Sequence, residues 1–127
     1  MVILDTNIII DHLRQPPKKS KLIKFLERHP EESLGISIIS IQELYEGKST
    51  KSREKENQLL STINSLEIIP YTYDVAKLAG SIARDLDWPI GLADMTIAAT
   101  TILNVGELFT LNKKDFLGIE NLKFAQI

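Results

Sequence analysis

The sequence predicts a single α/β domain over residues 1–127, a three-layer α/β/α arrangement around a central parallel sheet of four to five strands. Three observations predict it. Short apolar, β-branched runs alternate with helical patterns, as strands joined by helical crossovers do. The chain has 127 residues, enough for one domain with a proper core. Four acids, Asp5, Glu43, Asp94 and Asp115, each follow a strand-like run or open a helix-like one. In a doubly wound sheet such positions face one crevice outside the carboxyl ends of the strands.

Each element has a local reason. Val2 to Leu4 reads as a buried first strand, apolar enough to need cover on both faces and hence central. Asp5-Thr6-Asn7 offers helix caps for a short helix from Ile8 to Leu13, which Pro16-Pro17 stops. Lys18 to Arg28 is a second helix. Leu34 to Ile39, rich in β-branched residues, is the second strand. A helix then starts at Ser40 and runs through Tyr45 to a break at Gly47. The stretch from Ser49 to Asn64 is polar with an apolar stripe of Leu59, Leu60 and Ile63. Leu66 to Ile69 is the third strand, ended by Pro70. Thr72 caps an amphipathic helix carrying Val75, Leu78, Ala79, Ile82, Ala83 and Leu86. Ala93 to Leu103 is an almost wholly apolar helix, hence buried. Glu107 to Leu111 is the fourth strand, Lys113 to Leu117 a helical turn, and Leu122 to Ala125 a candidate edge strand.

Composition narrows the function. There is no cysteine, which excludes disulfides and thiolate metal sites. His12 and His29 are too few for a zinc cluster. No run reaches membrane-spanning length and no signal peptide is visible, so a cytoplasmic protein without membrane contact is expected. The net charge of −2 argues against coating nucleic acid by bulk positive charge. Basic clusters exist at Lys18, Lys19, Lys21 and Lys24, at Lys48, Lys51, Arg53 and Lys55, and at Lys113 and Lys114; the plain reading of each is a solvated face.

The acids also have plain readings. Asp5 can cap a helix, Ser40 and Glu43 have capping-box spacing, Asp94 suits a helix dipole, and Asp115 sits beside lysines. Jointly they point elsewhere. Carboxylates gathered in one crevice repel unless a cation neutralises them, and hard divalent ions take oxygen ligands. Asp5 and Asp94 can hold one such ion, with Glu43 and Asp115 completing its shell or holding a second. Thr6, Asn7, Ser40, Thr110 and Asn112 stand close enough in sequence to orient carboxylates, water or a phosphate. The expected chemistry is metal-dependent hydrolysis of a phosphodiester.

With these residues in view, the chain resembles the PIN-domain nucleases, and among them the VapC toxins of type II toxin–antitoxin pairs. The matching segments are Leu4-Asp-Thr-Asn-Ile-Ile-Ile, Ile38-Ile-Ser-Ile-Gln-Glu-Leu-Tyr-Glu-Gly, Ile90-Gly-Leu-Ala-Asp-Met-Thr-Ile-Ala-Ala and Thr110-Leu-Asn-Lys-Lys-Asp-Phe. The resemblance implies a PIN-like fold and a Mg²⁺- or Mn²⁺-dependent endoribonuclease with Asp5, Glu43 and Asp94 at the core acidic positions. The fourth acid is assigned to Asp115, with Asn112 a neutral neighbour where many relatives carry Asp. It further implies an RNA substrate and a homodimer. It implies an antitoxin that forms a hetero-tetramer or larger assembly and brings it to operator DNA. Ile8, Ile9, Ile10 and Leu13, with Leu44 and Tyr45, are the candidate groove for an antitoxin helix. A non-toxin PIN nuclease of RNA processing and an inactive PIN-like scaffold are the alternatives.

Overall fold

A computed structural model describes residues 1–126. Among them the order is β1 (Val2–Leu4), α1 (Thr6–Arg14), α2 (Lys21–Arg28), β2 (Leu34–Ser37), α3 (Ile38–Glu46), a 3₁₀ turn (Lys48–Lys51), α4 (Arg53–Ile63), β3 (Glu67–Ile69), α5 (Tyr73–Asp85), α6 (Leu92–Leu103), β4 (Glu107–Phe109) and a second 3₁₀ turn (Lys113–Phe116). The strands form one parallel sheet in the order β3-β2-β1-β4. The chain winds outward from β1 to β3, then returns to place β4 on the other side of β1. The switch in direction therefore falls between β1 and β4, where an open sheet leaves a crevice.

Two apolar clusters cover the two faces. Val2, Leu4, Ile36 and Phe109 pack with Ile8, Ile9, Leu22, Phe25, Leu44 and Leu59 of α1 to α4. Leu108 packs with Val75, Ala79, Ile82, Ile97 and Ala98 of α5 and α6, and with Phe116. The alternation of Leu108 and Phe109 between the clusters is the two-residue period of a strand. The three layers follow from it. Among the described residues no helix is long and apolar enough to cross a membrane.

Three sequence expectations need correction. β2 stops at Ser37, not Ile39, because the Ser37 hydroxyl accepts the Ile39 backbone N–H at 3.2 Å and starts α3 two residues early. Side-chain capping there outweighs the weak strand preference of Ile38 and Ile39. Ser40 thus lies inside the first turn of α3 and forms no capping box with Glu43. Finally, the Leu122–Ala125 segment contributes a single bridge, Leu108 to Phe124, so the described sheet has four strands.

Backbone proximity at the sheet yields a stability prediction. A Cβ at Gly106 would meet the Met1 carbonyl oxygen at 2.8 Å. That oxygen accepts the Glu107 N–H at 3.1 Å and cannot swing aside. Gly106→Ala should therefore lower stability by about 1–3 kcal/mol. Gly80, exposed within α5, has nothing within 4 Å of its Cβ position, and Gly80→Ala should raise stability by about 0.5–1 kcal/mol. Urea unfolding of both variants reads the two signs; equal midpoints would contradict the packing described.

Candidate active site

Asp5 is the centre of the crevice. It ends β1, caps α1 and is only 6% exposed. Its Oδ1 accepts the Thr6 backbone N–H at 2.7 Å, and its Oδ2 accepts the Thr110 hydroxyl at 2.7 Å. Thr110 follows β4, so this bond spans the switch point. Asn7 reinforces it, its Oδ1 accepting the Leu111 N–H at 3.3 Å and its Nδ2 reaching Thr110 Oγ1 at 3.5 Å. The Asn112 N–H also donates to the Thr110 hydroxyl at 3.0 Å. The Asn112 side chain is exposed and caps nothing in the turn that follows.

Glu43 reaches the same crevice from α3. Thr6 Oγ1 stands 2.6 Å from Glu43 Oε1 and 2.8 Å from Ser40 Oγ. A hydroxyl carries one proton and a carboxylate only accepts, so Thr6 donates to Glu43 and Ser40 donates to Thr6. The sequence singled out Thr6 and Ser40 separately; the relay joining them to Glu43 is visible only in the fold.

Asp94 opens α6, half-buried, with no hydrogen-bond or ion-pair partner among the described residues. Asp115 stands in the turn after β4. Burial pushes the Asp94 carboxyl from the ordinary 3.8 up to about 6, and the charges of Asp5, Asp115 and Glu43 push the same way. Asp5 is also raised, first by burial, against the hydrogen bonds from Thr110 and Thr6, with Glu43 and Asp115 adding repulsion. The four acids named from the sequence thus share one electrostatic site.

Among the described residues no three His, Asp or Glu side chains close into a ready metal cage. The donor set nevertheless fits a hard divalent cation. All its donors are oxygens, they repel one another, and Asp94 has no hydrogen-bond or ion-pair partner among the described residues. Each Asp5 oxygen has one hydrogen bond, which leaves lone pairs for a cation.

The apolar groove expected on α1 and α3 is different from its description in sequence. Ile8 and Ile9 are both 0% exposed and belong to the core, so they line no surface. Tyr45 is turned outward, its hydroxyl donating to Glu56 Oε2 at 2.7 Å. The real concavity is a cleft of about 340 Å³ with Ile10, Leu13, Leu44 and Leu59 among its walls. Glu43, one of the four acids, also lines it. Arg14 and Gln58 line it too. The sequence reading passed over both; the helical spacing of Ile10, Leu13 and Arg14 was the one available signal.

Known proteins carry the same frame. A PIN domain is matched over residues 2–121. Ribonuclease VapC10 of Mycobacterium tuberculosis is 33% identical over 127 residues, across 97% of this chain and 91% of that protein. Ribonuclease VapC19 of the same organism is 32% identical across 91% of this chain and 92% of its own. Among solved structures, VapBC2 from Rickettsia felis, bound to a DNA fragment from its promoter, has a chain that superposes with a TM-score of 0.83 at 28% identity, covering 98% of both. The chain belongs to the PIN-domain family, and within it to the VapC-type ribonucleases.

The raised carboxyls predict a pH dependence. A group whose pKa is raised by folding favours the folded state while protonated. That contribution is complete below about pH 4 and disappears as pH rises through about 6 for Asp94. In EDTA, Asp94→Asn should therefore melt a few degrees higher than wild type at pH 7, with the gap closing toward pH 4. Melting curves at both pH values test this; a gap independent of pH would remove the repulsion from the site.

Proposed function

We propose that this chain hydrolyses RNA phosphodiesters with a bound Mg²⁺ or Mn²⁺ and acts in the cytoplasm as the toxin of a toxin–antitoxin pair. The observation that carries this reading is the half-buried Asp94, without a hydrogen-bond or ion-pair partner among the described residues, on which the charge of the pinned Asp5 bears. Asp5 and Asp94 would hold the cation, with Glu43 and Asp115 completing its surroundings. Bound there, the ion neutralises the carboxylates, polarises a phosphoryl oxygen and lowers the pKa of a bound water.

The chain's own residues supply orientation. Thr110 and the Thr6 N–H fix the Asp5 plane, so its remaining lone pairs keep one direction. Thr6, backed by Ser40, fixes Glu43 through Oε1. Glu43 Oε2 has no partner among the described residues and is the acceptor available to a water lined up on phosphorus. Asp115 is preferred to Asn112 as the fourth acid because its charge bears on both Asp5 and Asp94.

An antitoxin is the proposed regulator. Solved relatives include a toxin–antitoxin complex from Klebsiella pneumoniae. An arginine from such a partner would meet the same unneutralised carboxylates, while Leu13 and Leu44 supply an apolar seat. The toxin would act as a homodimer, reaching operator DNA only through the antitoxin.

Asp5→Asn should abolish cleavage of RNA and keep the fold, being nearly isosteric. Thr110→Val should lower metal affinity or activity by roughly 10–100-fold. Expression of wild type alone should arrest growth, and Asp5→Asn should not. Cleavage by Asp5→Asn, or by wild type in excess EDTA, would refute the metal site. Cleavage in vitro with no growth arrest would favour a housekeeping nuclease.

A further inference from the structure

The cleft beside Glu43 has a chemistry that the four acids do not explain. Its apolar walls, chiefly Ile10, Leu13 and Leu44 above the buried Leu59, are overhung by three exposed cations, Arg14, Lys48 and Lys55. None of the three is in an ion pair among the described residues. This is unbalanced positive charge in a chain whose net charge is −2. Lys51 and Arg53, from the same basic run, stay outside the cleft. The fold therefore selects two of that run's lysines and adds Arg14 from a helix 34 residues away in sequence (48 minus 14).

An acidic site that takes a polyanion must offset repulsion along the rest of the strand. Cations sharing a concavity with a site carboxylate are placed to do so. Of the other lysines near the acids, Lys113 lies over the Phe124 ring at 5.5 Å and is already engaged. The cleft, about 340 Å³, stands at the small end of ligand-sized cavities, roughly 300–1,000 Å³. That size admits one nucleobase. Apolar walls bury the face of a base, and a cationic rim holds the phosphate that follows it.

We propose that this cleft is a nucleotide subsite for the RNA strand flanking the scissile bond, its base against Ile10, Leu13 and Leu44 and its phosphates on Lys48, Lys55 and Arg14. The inference rests on the ribonuclease reading above and adds where the strand leaves the acids. Packing against aliphatic walls carries little base readout, so this subsite contributes affinity more than sequence choice. A partner seated on the same leucines would then exclude substrate as well as cover the acids.

The test uses the full chain, as wild type and as Asp5→Asn, each with Lys48→Gln/Lys55→Gln, and with Lys24→Gln/Lys77→Gln as an equal-charge control. Binding of a fluorescent single-stranded oligoribonucleotide is measured on the Asp5→Asn background across a salt series, and cleavage on the active background. The cleft pair should raise Kd and KM about tenfold with kcat within about twofold, and should flatten the salt dependence by roughly 1.4 in log–log slope, at about 0.7 per lost phosphate contact. The control pair should change neither. Matching slopes and KM values in the cleft and control pairs would overturn the subsite. Cleft-dependent binding with no cleavage by wild type would instead sustain the subsite and defeat the ribonuclease reading.

Discussion

The structure depends on one buried carboxylate. Asp5 caps α1, closes the end of the central strand and takes the Thr110 hydroxyl across the gap between β1 and β4. An ionised acid at 6% exposure is costly unless its lone pairs are used. Two hydrogen bonds use part of that capacity, and a cation is suited to the rest. The same residue therefore orders a helix start, joins two strands at the switch point and holds its carboxylate in one orientation. Thr6 extends the arrangement to α3 through Glu43, and the first turn of α6 brings Asp94 within reach of their charge.

That economy has an energetic counterpart. Asp94 has no neutralising partner, so folding without a cation holds it against three like charges. Any cation that neutralised these acids would relieve that repulsion, and its binding energy would add to stability. The neighbouring cleft has the opposite imbalance, with unpaired cations over an apolar floor. Acid and base lie side by side but largely unpaired, which makes each available to something outside the chain.

Much of this was legible in the sequence because the relevant signals are local. The short apolar strands, the Thr72 cap and the acids after strands or in first turns needed no tertiary knowledge. What failed was decided by direction or distance. Ile8 to Leu13 reads as one apolar surface, yet a helix turns successive residues by about 100°. Ile8 and Ile9 consequently enter the core, whereas Ile10 and Leu13 face the cleft. Ser37 took the cap expected of Ser40 because either serine can serve, and the sheet's end decides between them. Lys48 and Lys55 belong to a basic run plain in the sequence, but which of its members face the cleft, and that Arg14 joins them, is decided only where α1 meets the α3–α4 connection.

The bond between Asp5 and Thr110 joins residues 105 apart in sequence. Chains are made from the amino end, so Asp5 is synthesised well before the hydroxyl that orients it. A contact of that span is slow to close and cannot form until β4 has been made. The carboxylate at the centre of the crevice is therefore ordered late, by the far side of the sheet and not by its own helix alone.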